Sequence, residues 1–253
     1  MTSPVLSAQA GPVRWIRLNR PESRNSLNPG LIAAFDDAIT AAMDDPGTDA
    51  VVVAGAGPSF CAGADLRHLL ELTRTGQDPI AFLSMVSESF SRLEAAPKPV
   101  IAAVHGHVVA GGIELALACD AVVARAGTLI GDGHIRNGLL PGAGSSVRLA
   151  RKVGEPLARR LLLTGELLPA EHFLACGFVQ AVAEAAEFDR VVTAVAESFT
   201  GMPPGCHAQL KRLLGDPDAP AALRVELEVF AEHWHEQDIA AQLTRFFDQR
   251  AMR

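Results

Sequence analysis

The segment VRWIRLN, residues 13 to 19, alternates apolar and polar positions as a half-buried strand does, and the NRPES that follows is rich in turn residues. In LNPGLIAAFDDAITAAM the apolar residues recur at helical spacing, with Asn28 placed to cap the helix and Pro29 suited to its first turn. AVVVAG (50 to 55) and KPVIAAVHG (98 to 106) are short and almost wholly apolar, the pattern of strands buried on both faces. A helix is expected between them, from about Pro79 to Ala95. VVAGGIELALACD reads as a glycine-rich turn opening a helix, and DAVVARAGTLIG supplies further short strands. From Ala143 onward SSVRLARKVG, EPLARRLLLTG, PAEHFLACG and the tail from Pro220 to Arg253 all read as helical. Strand, loop and helix thus alternate over the first two thirds and helices dominate the last third, which predicts an α/β chain with a helical C-terminal extension. No internal repeat, low-complexity tract or linker interrupts it. The tail's AALRVELEVFAEHWHEQDIAAQLTRFF carries an apolar stripe at i, i+3, i+4 spacing, to be covered either by another subunit or by its own domain.

Composition narrows the function classes. With 253 residues and 49% hydrophobic content the chain can build one large core. A formal net charge of −7 argues against nucleic acid or an anionic membrane as partner, so any phosphate must be held locally. No run approaches the roughly 18 apolar residues of a membrane span, and MTSPVLSAQAGPVRW lacks the layout of a secretory signal, so a cytoplasmic location is expected. Cys61, Cys119, Cys176 and Cys206 form no Cys-x-x-Cys pair and are expected to be buried thiols. His105 and His107 have no third ligand nearby, and His233 and His235 would point to different helix faces, so no metal is expected. Gly55-Ala-Gly57 runs into Pro58, Ser59 and Phe60 without the third glycine of a dinucleotide fingerprint, and Gly142-Ala-Gly144 lacks it too. Neither a Walker loop nor a Gly-x-Ser-x-Gly elbow is present.

Two turns share one design, an apolar strand followed by small residues and then a helix: Phe60 to Leu66, and Val109 to Glu114. Small residues let a ligand approach the main chain, and a helix start leaves N–H groups without intrahelical partners. The amides of Ala64 and Gly111 are therefore candidates for an oxyanion hole. Tight packing of helix on strand selects small residues as well, and that alternative stays open.

Taken together, the segments NRPESRNSLN (19 to 28), SFCAGADL (59 to 66), KPVIAAVHGHVVAGGIELALACD (98 to 120), GLLPGAGSSVRL (138 to 149) and LTGELLPAEHFLACGFVQAV (163 to 182) resemble the enoyl-CoA hydratase/isomerase (crotonase) superfamily, in family order. The resemblance implies a ββα spiral core, assigned to residues 1–195, and a helical C-terminal oligomerisation region, 196–253. It further implies homotrimers or dimers of trimers, an acyl-CoA substrate, no cofactor beyond the CoA of that substrate, and oxyanion-hole amides at Ala64 and Gly111. Glu114 matches the first catalytic glutamate. Its place in the first helical turn predicts an ionised carboxylate, suited to a general base. Where the hydratases carry a second glutamate this chain has His134, whose imidazole titrates near neutral pH and can carry a proton, with Asp132 placed to orient it. Arg24, Ala62, Asp65 and Lys211 are the candidates for holding CoA, with Arg212 as a further cation; the two tail residues are candidates to reach it across a subunit interface.

Polarising a thioester makes carbon two able to exchange a proton and carbon three open to water. The leading expectation is an enoyl-CoA hydratase, a lyase. A Δ3,Δ2-enoyl-CoA isomerase needs only one base and stays open. So does a carbon–carbon hydrolase acting on a β-diketone, although the relatives that do this have an acid where Ala143 stands here. A non-catalytic acyl-CoA-binding protein is the alternative from another class.

Overall fold

A computed structural model describes residues 3–251. The two wholly apolar segments form the centre of the main sheet. Ala50–Gly55 (β3) and Val100–Val104 (β4) are buried at every position, because both faces of the sheet are covered. Val13–Leu18 (β2) runs parallel to β3 on one side, and Ala121–Arg125 (β6) runs parallel to β4 on the other. The edges are Val5–Ala10 (β1), antiparallel to β2, and Ala181–Ala183 (β9), parallel to β6, giving the order β1-β2-β3-β4-β6-β9. A second sheet joins His107–Val109 (β5), Leu129–Gly131 (β7) and Leu168–Pro169 (β8).

Alternation along the strands divides the core in two. Ile16, Val51, Val53, Ala102 and Val104 face a large core shared with the helices Pro29–Asp44 (α1) and Ile80–Glu94 (α3). Val13, Val52, Ile101 and Val123 face the opposite way, onto Phe188, Val192 and Ala196 of a later helix, Phe188–Glu197. Asn28 caps α1, its side chain accepting from the Leu31 amide at 2.9 Å, and Pro29 opens the helix as expected.

The sequence reading missed the helix Leu66–Arg74 (α2), which is started by Asp65 accepting from the Arg67 amide at 3.1 Å. Gly111–Leu117 (α4), Ser145–Val153 (α5) and Glu155–Thr164 (α6) lie where helices were expected. PAEHFLACG is instead a single 3-10 turn, Ala170–Phe173, because the chain must leave it at once to bring β9 beside β6. Position 195, the expected domain boundary, lies inside Phe188–Glu197 (α7).

The tail consists of Cys206–Leu214 (α8), Ala219–Glu236 (α9) and Ile239–Ala251 (α10). Met252 and Arg253 lie outside the described residues. Its apolar stripe is covered largely by its own domain: Leu223, Phe230 and Trp234 are buried as α9 packs on α3 and α5, while α10 packs on α2. The expectation of four buried thiols is corrected. Cys61 and Cys119 are buried, and burial pushes both thiols up to about 12, whereas Cys176 and Cys206 are exposed on a surface turn and at the start of α8. Among the described residues no helix is long and apolar enough to cross a membrane.

Candidate active site

The first small-residue turn follows β3 of the main sheet, the second follows β5, the short strand just after β4, and the two are laced together. Phe60 N donates to His105 O at 2.8 Å, and Val109 N donates to Cys61 O at 3.2 Å. The segment from Arg20 to Leu27 closes over them. Asn25, fully buried, donates to the carbonyls of Ala56, Ser59 and Phe60. Leu27 bonds on both sides of Ala64, donating to Gly63 O at 2.8 Å and accepting from Asp65 N at 2.7 Å. That pattern leaves the Ala64 amide directed away from Leu27, and among the described residues no acceptor is paired with it or with the Gly111 amide at the start of α4.

Two glycines show how close the turns come. A Cβ on Gly111 would stand 2.7 Å from Leu27 Cδ1 and 3.5 Å from the Ala64 nitrogen, so the two free amides converge on one small space. Gly63 has φ +89, and a Cβ there would stand 2.7 Å from Ala110 Cβ and 3.0 Å from the Gly111 nitrogen. Ala110 itself holds φ 53 and ψ −122, a costly conformation for a residue with a Cβ, fixed by its amide donating to Asp132 O at 2.8 Å. The turns pack tightly, and by doing so they set two amides that have no acceptor among the described residues close together. Gly63→Ala is expected to push the turns apart and to lower turnover by about 10²–10³-fold, the range for a lost oxyanion donor. Steady-state kinetics beside a thermal melt would check this, and unchanged turnover in a folded variant would refute it.

Glu114 sits one turn into α4, buried, and its Oε1 accepts from Ala143 N at 2.9 Å and Ser145 N at 3.1 Å. Its Oε2 stands 4.0 Å from His134 Nε2. The other imidazole nitrogen, Nδ1, meets Asp132 Oδ1 at 3.0 Å. The structure thus brings Ala64, Gly111, Glu114 and His134 together around one cavity of about 20 Å³, enough for a single water, whose further walls include Leu83, Leu140 and Phe230.

Glu114 ionises less readily than its place in the helix predicts. Burial outweighs the helix dipole and pushes its carboxyl up to about 7; the His134 charge opposes the rise, while Glu226 and Asp132 add to it. His134 is raised as well. Burial alone would keep the imidazole neutral, but the charge and hydrogen bond of Asp132, with Glu114 behind them, lift it to about 9. Asp132 is buried too, yet the imidazolium beside it holds its carboxyl below the ordinary value. The buried Ser145 hydroxyl, without a well-aligned partner of its own, is close enough to Asp132 to favour that charge.

The candidates for CoA separate. Arg24 is exposed, and its carbonyl accepts from the Ala62 amide at 3.1 Å, so these two share one neighbourhood. Asp65 is engaged as the α2 cap and in an ion pair with Arg20 at 3.0 Å. The structure does not bring Lys211 to the site. It pairs with Asp120 at 2.8 Å, and Asp120 accepts from Val100 N at the N-terminal edge of the strands, opposite the two turns. Arg212 is exposed on the same helix. His105 and His107 are spent on the first turn, meeting Gly57 O at 2.9 Å and Ser59 Oγ at 3.4 Å.

Sequence reasoning missed Glu226, a buried carboxylate on α9 that accepts from Gly144 N at 2.6 Å, Ser146 N at 2.8 Å and the Ser146 hydroxyl. It missed Asn25 as well. The signal for Glu226 was its place on the apolar stripe of α9, between Leu223 and Phe230; Asn25, among polar neighbours, carried none.

A family model described as enoyl-CoA hydratase/isomerase matches residues 8–253. A short-chain-enoyl-CoA hydratase of Clostridium acetobutylicum is 31% identical over 250 residues, 97% of this chain and 95% of that protein. A putative enoyl-CoA hydratase of Thermus thermophilus is 34% identical over 253 residues, 98% of this chain and all of that one. Among solved structures, an enoyl-CoA hydratase from Mycobacterium avium subsp. paratuberculosis superposes with TM-score 0.85 at 28% identity, covering 96% of this chain and 99% of its own.

Proposed function

The chain belongs to the enoyl-CoA hydratase/isomerase family, and on that premise we propose that it adds water reversibly across the double bond of a 2-enoyl-CoA thioester, using Glu114 and His134 as its proton carriers. The observation that carries this reading is the pair of groups 4.0 Å apart, Glu114 Oε2 and His134 Nε2, beside two convergent free amides. The Ala64 and Gly111 amides hold the thioester oxygen and stabilise the enolate as it forms. One water set between the side chains donates to Glu114 Oε2 and accepts from His134 Nε2–H. Glu114 takes a proton from that water, the hydroxide bonds to carbon three, and the double-bond electrons move onto the thioester oxygen. As the enolate collapses, carbon two takes the Nε2 proton of His134, and the proton on Glu114 then returns to His134. The sum is one water added, with both side chains restored. An isomerase needs only one base, so it is the presence of two proton-carrying groups that favours hydration over isomerisation.

CoA enters as part of the substrate, and this chemistry requires no separate cofactor. Arg24, exposed beside Ala62, suits a CoA phosphate, and the close apolar walls around Leu83 and Phe230 suit a short acyl group. Assembly into trimers, alone or paired, is supported by apolar side chains left in water on the tail helices: Leu213 and Leu214 on α8 are 80% and 79% exposed, and Val225 and Val229 on α9 are exposed as well. Light scattering is expected to read three or six copies; a monomer at working concentration would sink the assembly.

The test of function is turnover of crotonyl-CoA, followed by loss of the conjugated thioester absorbance. Glu114 must be ionised and His134 protonated, so activity should rise through about pH 7 and fall through about pH 9. Binding without turnover would favour the non-catalytic reading, and absence of both would remove the acyl-CoA assignment.

A further inference from the structure

The N-terminus of α5 serves two carboxylates at once. Four successive amides are shared out alternately: Ala143 and Ser145 donate to Glu114 Oε1, while Gly144 and Ser146 donate to Glu226. A helix start offers only a few unpaired donors, so what one carboxylate takes the other cannot. Glu226 comes from α9, far away in the chain, and it has no cation within ion-pair distance among the described residues. Arg148 of α5, a buried cation, is committed elsewhere, to Ala143 O at 2.9 Å and to Glu94 at 2.8 Å. A second buried acid is a costly way to cap a helix that one acid already caps.

We propose that Glu226 is a positioning residue for the Glu114 base: by occupying the Gly144 and Ser146 amides it leaves Glu114 only the pair that binds Oε1, which keeps Oε2 free and turned toward His134. The tail helix α9 thereby sets the geometry of the base, and docking of the C-terminal region becomes a condition for an active carboxylate. The same placement puts a like charge near Glu114, alongside Asp132 and against His134, so it also contributes to holding that carboxyl high. This inference rests on Glu114 being the base in the reading above.

The experiment reads Glu114 directly in ligand-free protein, as the protonated-carboxyl infrared band that is absent from Glu114→Gln. In Glu226→Gln the midpoint of that band is expected to fall by roughly one pH unit, the scale on which a single charged neighbour acts. Turnover of crotonyl-CoA should fall about tenfold. Ser146→Ala, which removes a hydroxyl donor and leaves the Glu226 charge in place, should keep the parent midpoint, and Glu226→Asp, whose shorter stem cannot span both amides, should lose rate if Glu226→Gln does not fold. A midpoint unmoved in folded Glu226→Gln, or full rate in Glu226→Asp, would overturn the proposal. A shifted midpoint in a protein that does not hydrate crotonyl-CoA would support the positioning role while removing the hydratase reading, so the two failures are distinguishable.

Discussion

Glu114→Gln is expected to lower crotonyl-CoA turnover by about 10²–10⁴-fold, the range for loss of a positioned general base, while leaving acyl-CoA binding close to that of the parent. The amide is isosteric, and its oxygen can still accept from Ala143 N and Ser145 N, so the loop that carries both donors should keep its place. What disappears is the lone pair on the Oε2 side, 4.0 Å from His134 Nε2, which takes the proton from water. Stability should move the other way. The folded-state carboxyl of Glu114 titrates near 7, above its ordinary 4.5, so its contribution to stability is present below about 4.5 and lost as pH rises through about 7. At pH 8 the parent therefore carries a buried charge that the variant lacks, and Glu114→Gln should melt at a higher temperature, with the gap closing toward pH 5. Kinetics beside melts at the two pH values decide the matter. Retained turnover would remove Glu114 from the chemistry, and a lower melting temperature at pH 8 would show that the carboxylate is held for structure.

The two small-residue turns were legible because they depend on backbone. Small residues at 61 to 64 and 110 to 112, each after an apolar strand, announce main-chain chemistry whatever the tertiary contacts are, and the structure brings those amides together. The protonation of Glu114 was not legible. Its position in the helix favours charge, but the deciding quantity is burial, to which the loop that donates Ala143 N and Ser145 N contributes through long-range packing. Lys211 illustrates a second limit, since sequence does not show where a basic residue stands in its own chain, here paired with Asp120 at the opposite edge of the sheet from the two turns. Glu226 marks the third. On a helix whose stripe reads Leu223, Leu227, Phe230, Trp234, a single acid looks like a solvated position, and only the packing of α9 against α5 turns it inward. Local signals carried the elements and the oxyanion turns. Long-range contacts decided the charges.

Asp132→Asn should abolish most activity at pH 8, by about 10² or more, without removing either proton carrier. Asp132 is the group that lets a buried imidazole stay charged: its carboxylate lies 3.0 Å from Nδ1, and its own backbone carbonyl accepts from Ala110 N, which fixes it to the oxyanion turn. Asparagine preserves a hydrogen-bond acceptor for Nδ1 but withdraws the charge, and burial then acts on His134 largely unopposed, driving its titration down from about 9 toward or below the ordinary 6.5. Glu114 still needs a pH above about 7 to act as a base. The interval in which one group is ionised and the other protonated closes, so the bell should lose height and its alkaline limb should move to lower pH. The linkage has a matching sign. A His134 titration raised above 6.5 adds stability that is fully present below 6.5 and lost as pH rises through about 9, so the variant should be less stable than the parent at pH 6 and nearly equal to it at pH 10. A hydratase with two glutamates would show no such alkaline limb tied to an aspartate two residues upstream. If Asp132→Asn retains a limb near 9 and changes only KM, His134 is not the acid, and the proton for carbon two must come from the water itself.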